Sequence, residues 1–70
     1  MEKLFKTVGK RIAQKRHELH LSQEQFATIA GVHRNLIGNI ERAETKVSLL
    51  TLYKIAKAFN MTLVELLKGF

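Results

Sequence analysis

The side chains best able to do chemistry are concentrated in the stretch GVHRNLIGNIER, Gly31 to Arg42. On a helical wheel of about 100° per residue, Ile37 and Ile40 fall on one side with Leu36 at its margin, and Asn35, Gly38, Asn39 and Arg42 form the opposite stripe. The outer stripe is then amide, bare backbone, amide and guanidinium. An asparagine can donate and accept at the edge of adenine, an arginine can fork onto guanine or phosphate, and a glycine allows close approach to another surface. Such a face suits the floor of a DNA major groove. His33 and Arg34 lie at the amino end, where a helix entering the groove points its first residues at base edges and its dipole favours phosphate. Base reading is therefore expected of Arg34, Asn35 and Asn39, with His33 assisting.

Any one of Asn35, Asn39 or Arg42 taken alone reads most simply as a solvated polar residue, and Gly38 as a tolerated flaw in a helix. The arrangement shifts the balance: a short capped helix, a glycine turn and then this helix, on a basic chain, is the spacing of a helix-turn-helix unit spanning about residues 22 to 42. Other chemistries fit poorly. His17, His20 and His33 lack the i, i+4 spacing of a helical metal pair, and there is no cysteine to join them. Neither a Ser-His-Asp set, a phosphate-binding loop nor a pair of carboxylates can be assembled, so the chain is expected to be no enzyme and to need no metal or cofactor.

The elements that must position this face follow from composition and period. Seventy residues, counted here as one domain over positions 1 to 70, allow a single core, and the absence of cysteine leaves hydrophobic packing to hold it. The lack of proline favours helix over sheet. Phe5, Val8, Ile12, Arg16 and Leu19 make the inner stripe of a long first helix, and Ser22 with Gln25 reads as a capping box opening a second that Gly31 ends. After a polar connection from Ala43 to Val47, Ser48 caps a fourth helix with Leu49, Leu52, Ile55, Ala56 and Phe59 on one face. Asn60 and Met61 break it, and Thr62 with Glu65 opens a fifth. The expected fold is all-α. No apolar run is long enough to span a bilayer, and the amino end lacks a signal-peptide core. A net charge of +6 points to a polyanionic partner.

Arg16 is a charge on an apolar stripe, and Glu41 lies about 40° from Ile37 on the wheel of the third helix. Two opposite charges facing one interior are expected to pair, since either alone there would cost several kcal/mol. Leu50 and Tyr53 form a second apolar strip on the fourth helix, and Val64 and Phe70 add apolar surface near the carboxyl end. A small domain rarely leaves such a patch to water, so these four are expected to form a two-fold dimer interface.

The chain from GKRIAQKRHELHLSQEQFATIAGVHR through NLIGNIER to VSLLTLYKIAKAFNMTLVELL resembles the Cro and phage-repressor type of helix-turn-helix regulators, the XRE family. Within it, HRNLIGNIERAE followed by VSL is most similar to the controller proteins of restriction-modification systems. The resemblance implies a compact five-helix, lambda-repressor-like domain that regulates transcription as a homodimer on a near-palindromic operator. Its partners would be double-stranded DNA and a second copy, with RNA polymerase as a further candidate, in the cytoplasm on the nucleoid and without membrane or metal. The resemblance also implies the Arg16 to Glu41 salt bridge, a phosphate contact from Gln23 at a helix amino end, and phosphate contacts from Arg42 and Lys46. Two positions depart from the family pattern: Ala43 stands where glycine is frequent, and Leu50 where a polar residue is common. Two further readings compete: an antitoxin-like module binding protein through the same scaffold, and a membrane-surface binder acting through the first helix.

Overall fold

A computed structural model describes residues 2–69. Five helices follow one another, α1 (Glu2–Glu18), α2 (Gln23–Ala30), α3 (Arg34–Glu41), α4 (Leu49–Ala58) and α5 (Leu63–Leu66), with no strand among the described residues. Phe26, Ile12, Ile37, Ile55 and Leu66 are the largest fully buried side chains, one from each helix. Phe26 and Phe59 stack with ring centroids 4.4 Å apart, joining α2 to the end of α4.

Local chemistry sets the helix starts. Ser22 and Thr62 each accept from the backbone N–H three residues on, while Gln25 and Glu65 reach back to the cap residue's own N–H, so both expected capping boxes form. The Ser48 hydroxyl accepts from the Thr51 N–H at 3.1 Å. The helix ends share a single device. His20, Gly31, Ala43 and Asn60 take left-handed backbone with φ of 57°, 74°, 59° and 58°. At each, two backbone N–H groups fold back onto the last turn, as when Ala43 N donates to Ile40 O at 3.0 Å and Glu44 N to Asn39 O at 2.8 Å. Glycine, asparagine and histidine tolerate this conformation; Ala43 occupies it with a β-carbon and no polar side chain in compensation.

Two apolar assignments differ from the wheel. Leu19 is exposed because α1 ends at Glu18 and the chain turns away at His20. Leu49, assigned to the core face of α4, is 70% exposed. As the first residue of α4 it lies in the opening turn, and a helical side chain leans toward the helix amino end, here off the packed part of the helix. The buried face of α4 is Leu52, Ile55 and Ala56.

Gly9 was not singled out by its pattern, yet it sets the distance between α1 and α3. A β-carbon there would collide with the backbone oxygen of Ile40 and press on the carbonyl of Glu41. The two backbones touch at this point, and only glycine permits it.

Candidate nucleic-acid interface

Beside this backbone contact lies the buried ion pair. Arg16 Nε donates to Glu41 Oε2 at 2.7 Å and a second guanidinium nitrogen donates to Oε1 at 3.1 Å, with the side chains 8% and 7% exposed. Arg16 also donates to the Leu21 carbonyl at 2.7 Å, and Gln23 Nε2 donates to Glu41 Oε1 at 2.9 Å. No buried side-chain polar atom among the described residues lacks a partner. Glu41 therefore ties α1 and α2 to the carboxyl end of α3, with every charge satisfied.

With α3 so anchored, its outer side and the start of α2 bound an open cleft of about 760 Å³ lined by Ser22, Gln23, Glu24, Arg34, Asn35, Gly38, Asn39 and Arg42, with Arg16 at its base. Five of the residues expected to contact DNA, Gln23, Arg34, Asn35, Asn39 and Arg42, thus share one concave surface. His33, exposed at the start of α3, is not among its lining residues, and Lys46 is exposed beside a separate hollow with Glu2, Phe5 and Glu44. Gly38 does not present bare backbone to the outside either. It is buried, because the Arg42 guanidinium and the Gln23 amide arch over it, and a β-carbon there would meet them at 3.0 and 3.3 Å.

The hydrogen bonds decide what each side chain can still offer. His33 caps α3, its Nδ1 accepting from Asn35 N at 3.1 Å, so the neutral ring carries its proton on Nε2 and presents a donor. Arg42 donates from Nε to Glu44 Oε1 at 2.8 Å and from a terminal nitrogen to Asn39 Oδ1 at 2.9 Å. The Asn39 oxygen thereby has one of its two lone pairs engaged, and its NH₂ group is left to donate. Gln23 has one amide proton on Glu41 and keeps its other proton and its first-turn backbone N–H. The cleft is consequently rich in donors, as the acceptor atoms of guanine, of thymine O4 and of phosphate require.

Two acidic partners were not visible in the sequence: Glu24, which holds Arg34 across the cleft at 3.0 Å, and Glu44 on Arg42. Periodicity reports which residues share one helix face; it is silent about a pair between helices such as Glu24 with Arg34, and about a pair formed across a helix end such as Arg42 with Glu44. Arg11 on α1 donates to the carbonyls of Leu66 and Lys68 at 2.9 and 2.6 Å and fastens the end of α5 to α1. Among the described residues no cluster of His, Asp or Glu could hold a metal ion, and no helix is long and apolar enough to cross a membrane.

Leu50 and Tyr53 on α4 are exposed, Val64 on α5 is 80% exposed, and Phe70 lies outside the described residues. Ile29, on α2, adds a further exposed apolar side chain beside Tyr53.

Two short helices joined at a left-handed glycine, the second locked to the first helix by a buried ion pair and turning a polar cleft to solvent, define a helix-turn-helix domain. The chain belongs to the helix-turn-helix family of the HTH_3 model, which matches residues 12–66. It is 52% identical over 48 residues to the control protein C.SmaI of Serratia marcescens, an alignment covering 69% of this chain and 57% of that protein. This chain therefore spans little more than half the length of that relative. It is 33% identical over 61 residues to the HTH-type transcriptional regulator y4dJ of Sinorhizobium fredii, covering 87% of this chain and 79% of that one. Among solved structures it resembles the restriction-modification controller protein C.AhdI from Aeromonas hydrophila. That match has a TM-score of 0.84 and 34% identity, over 89% of this chain and 94% of that one.

Proposed function

We propose that this chain is a sequence-specific DNA-binding transcriptional regulator that controls the expression of restriction-modification genes. The observation that carries this reading is the convergence of Gln23, Arg34, Asn35, Asn39 and Arg42 on one cleft of a domain with net charge +6. Arg34 and Asn35, in the first turn of α3, meet the base edges first, with the His33 Nε2 donor beside them. Asn39 follows one turn on, as a donor. Gln23, Arg42 and Lys46 hold the phosphates and set the register without reading sequence. The work is done in the cytoplasm, on the nucleoid.

Selection from a random duplex library, followed by salt titration, tests this reading. A single preferred duplex and a steep loss of affinity with salt are expected. Arg34→Ala costs about 1 to 3 kcal/mol on that duplex and flattens preference at one or two base pairs. Gln23→Ala weakens all duplexes alike. Equal losses from Arg34→Ala on selected and random duplexes would remove Arg34 as a base reader.

The regulator acts as a homodimer through Leu50, Tyr53, Val64 and Phe70, which places two α3 helices about 34 Å apart for a near-palindromic operator. Support comes from the exposure of Leu50, Tyr53 and Val64 on two helices that pack together. Leu50→Lys with Tyr53→Glu should yield a folded monomer that binds one half-site weakly. A wild type that sediments as a monomer at high concentration rules out this interface.

A further inference from the structure

We propose that Glu24 is a specificity-determining residue of this interface, acting by positioning Arg34. The inference rests on the reading of the cleft as a DNA surface and names a residue that this reading leaves without a role. Glu24 stands in the first turn of α2 and Arg34 is the first residue of α3, so their contact bridges the two helices of the unit. One Arg34 terminal nitrogen donates to Glu24 Oε2 at 3.0 Å, with the side chains 63% and 69% exposed. Exposed pairs of this kind contribute little to folding. A carboxylate on a surface that must meet phosphate is also unfavourable for binding by charge alone. Its place is explained by what it does to the arginine.

A guanidinium carries five N–H donors in a planar fork. Glu24 takes one and leaves an edge with two parallel donors for the O6 and N7 of guanine. Held this way, Arg34 gives up less side-chain freedom when a guanine is offered, so the cognate complex gains from preorganisation. A duplex with only phosphate to offer must compete with a carboxylate already in place and is repelled by its charge. Glu24 thus disfavours the wrong duplex as well as preparing for the right one. Both effects widen the ratio of selected to unselected binding.

The test compares wild type, Glu24→Gln, Glu24→Ala and Glu18→Gln on the duplex selected by the wild type and on a scrambled duplex of the same composition. Glu18 is exposed on α1, outside the cleft, so its neutralisation reports the generic gain from one charge. Thermal melting establishes that each variant is folded. Both Glu24 variants should bind the scrambled duplex more tightly and lower the selected-to-scrambled ratio by roughly 2- to 5-fold, the range a surface pair supplies. They should also broaden the choice at the base pair that Arg34→Ala flattens. Glu18→Gln should raise both affinities together and leave the ratio unchanged. In an Arg34→Ala background, Glu24→Gln should no longer move the ratio beyond what Glu18→Gln does. A ratio unchanged by either Glu24 variant, or an effect that persists without Arg34, overturns the role of Glu24 while the DNA reading stands. A wild type that prefers no duplex overturns that reading, and this inference with it.

Discussion

Arg16→Ala tests whether the buried pair holds the cleft in place. The substitution removes two hydrogen bonds to Glu41 and one to the Leu21 carbonyl, leaving a carboxylate only 7% exposed with the Gln23 amide beside it. Breaking a buried pair from one side typically costs about 3 to 5 kcal/mol. Domains are stable by roughly 0.05 to 0.15 kcal/mol per residue, so the loss approaches the whole stability of a chain this small. At roughly 4 to 8 °C per kcal/mol, the melting temperature should fall by at least about 12 °C, or the variant should be unfolded at room temperature. Circular dichroism melts at neutral pH read this directly. Arg16→Met with Glu41→Leu removes both charges and keeps the volume, so it should retain most of the lost stability. An Arg16→Ala variant that melts with the wild type, or a double variant as damaged as the single one, would show that the buried pair carries no such weight.

Three further outcomes follow from particular atoms. Ala43→Gly should stabilise the fold by about 0.5 to 1 kcal/mol, because glycine relieves the left-handed strain at φ 59° at some cost in chain entropy; a lower melting temperature would contradict this. Gly9→Ala should destabilise by about 1 to 3 kcal/mol, since its β-carbon meets backbone oxygen rather than a movable side chain, and unchanged denaturant midpoints would count against the contact. Hydrogen bonds from the Thr62 backbone N–H, and secondarily from its hydroxyl, hold the Glu65 carboxyl below its ordinary value. A depressed folded-state value means stability that is present above the ordinary glutamate range of about 4.3 and is lost as pH falls through the folded value. Glu65→Gln should accordingly flatten the acid side of a melting-temperature profile, and parallel profiles would remove the effect.

The features legible in the sequence are those whose causes are local or periodic. The capping pairs Ser22 with Gln25 and Thr62 with Glu65 are hydrogen bonds three residues apart, and Gly31 is a conformational requirement of a single residue. Arg16 and Glu41 could be paired because each is a charge on an inward face, where being alone is costly. Leu19 and Leu49 fail for the complementary reason. The wheel gives direction around a helix but not where the helix stops or whether its opening turn is packed: α1 ends at Glu18, before Leu19, and Leu49 in the first turn of α4 is left largely exposed. Gly38 was placed correctly around the axis, yet two flexible side chains fold over it. The acids on Arg34 and Arg42 depend on how α2, α3 and the following turn meet, and no spacing within one helix encodes that.

The geometry separates what holds α3 from what α3 presents. Gly9 lets the α1 backbone reach the carbonyls of Ile40 and Glu41, Arg16 bonds the Glu41 carboxylate, and Gln23 bonds it from α2. These three contacts meet at the carboxyl end of α3, while Arg34 and Asn35 stand exposed at its amino end. Substitution of Arg34 or Asn35 should therefore alter recognition with almost no change in melting temperature, because no buried partner is orphaned. Gln23 is the exception, since its side chain belongs both to the cleft and to the buried network. A phosphate held there would act on the group that positions α3, so at this residue binding and stability are expected to move together.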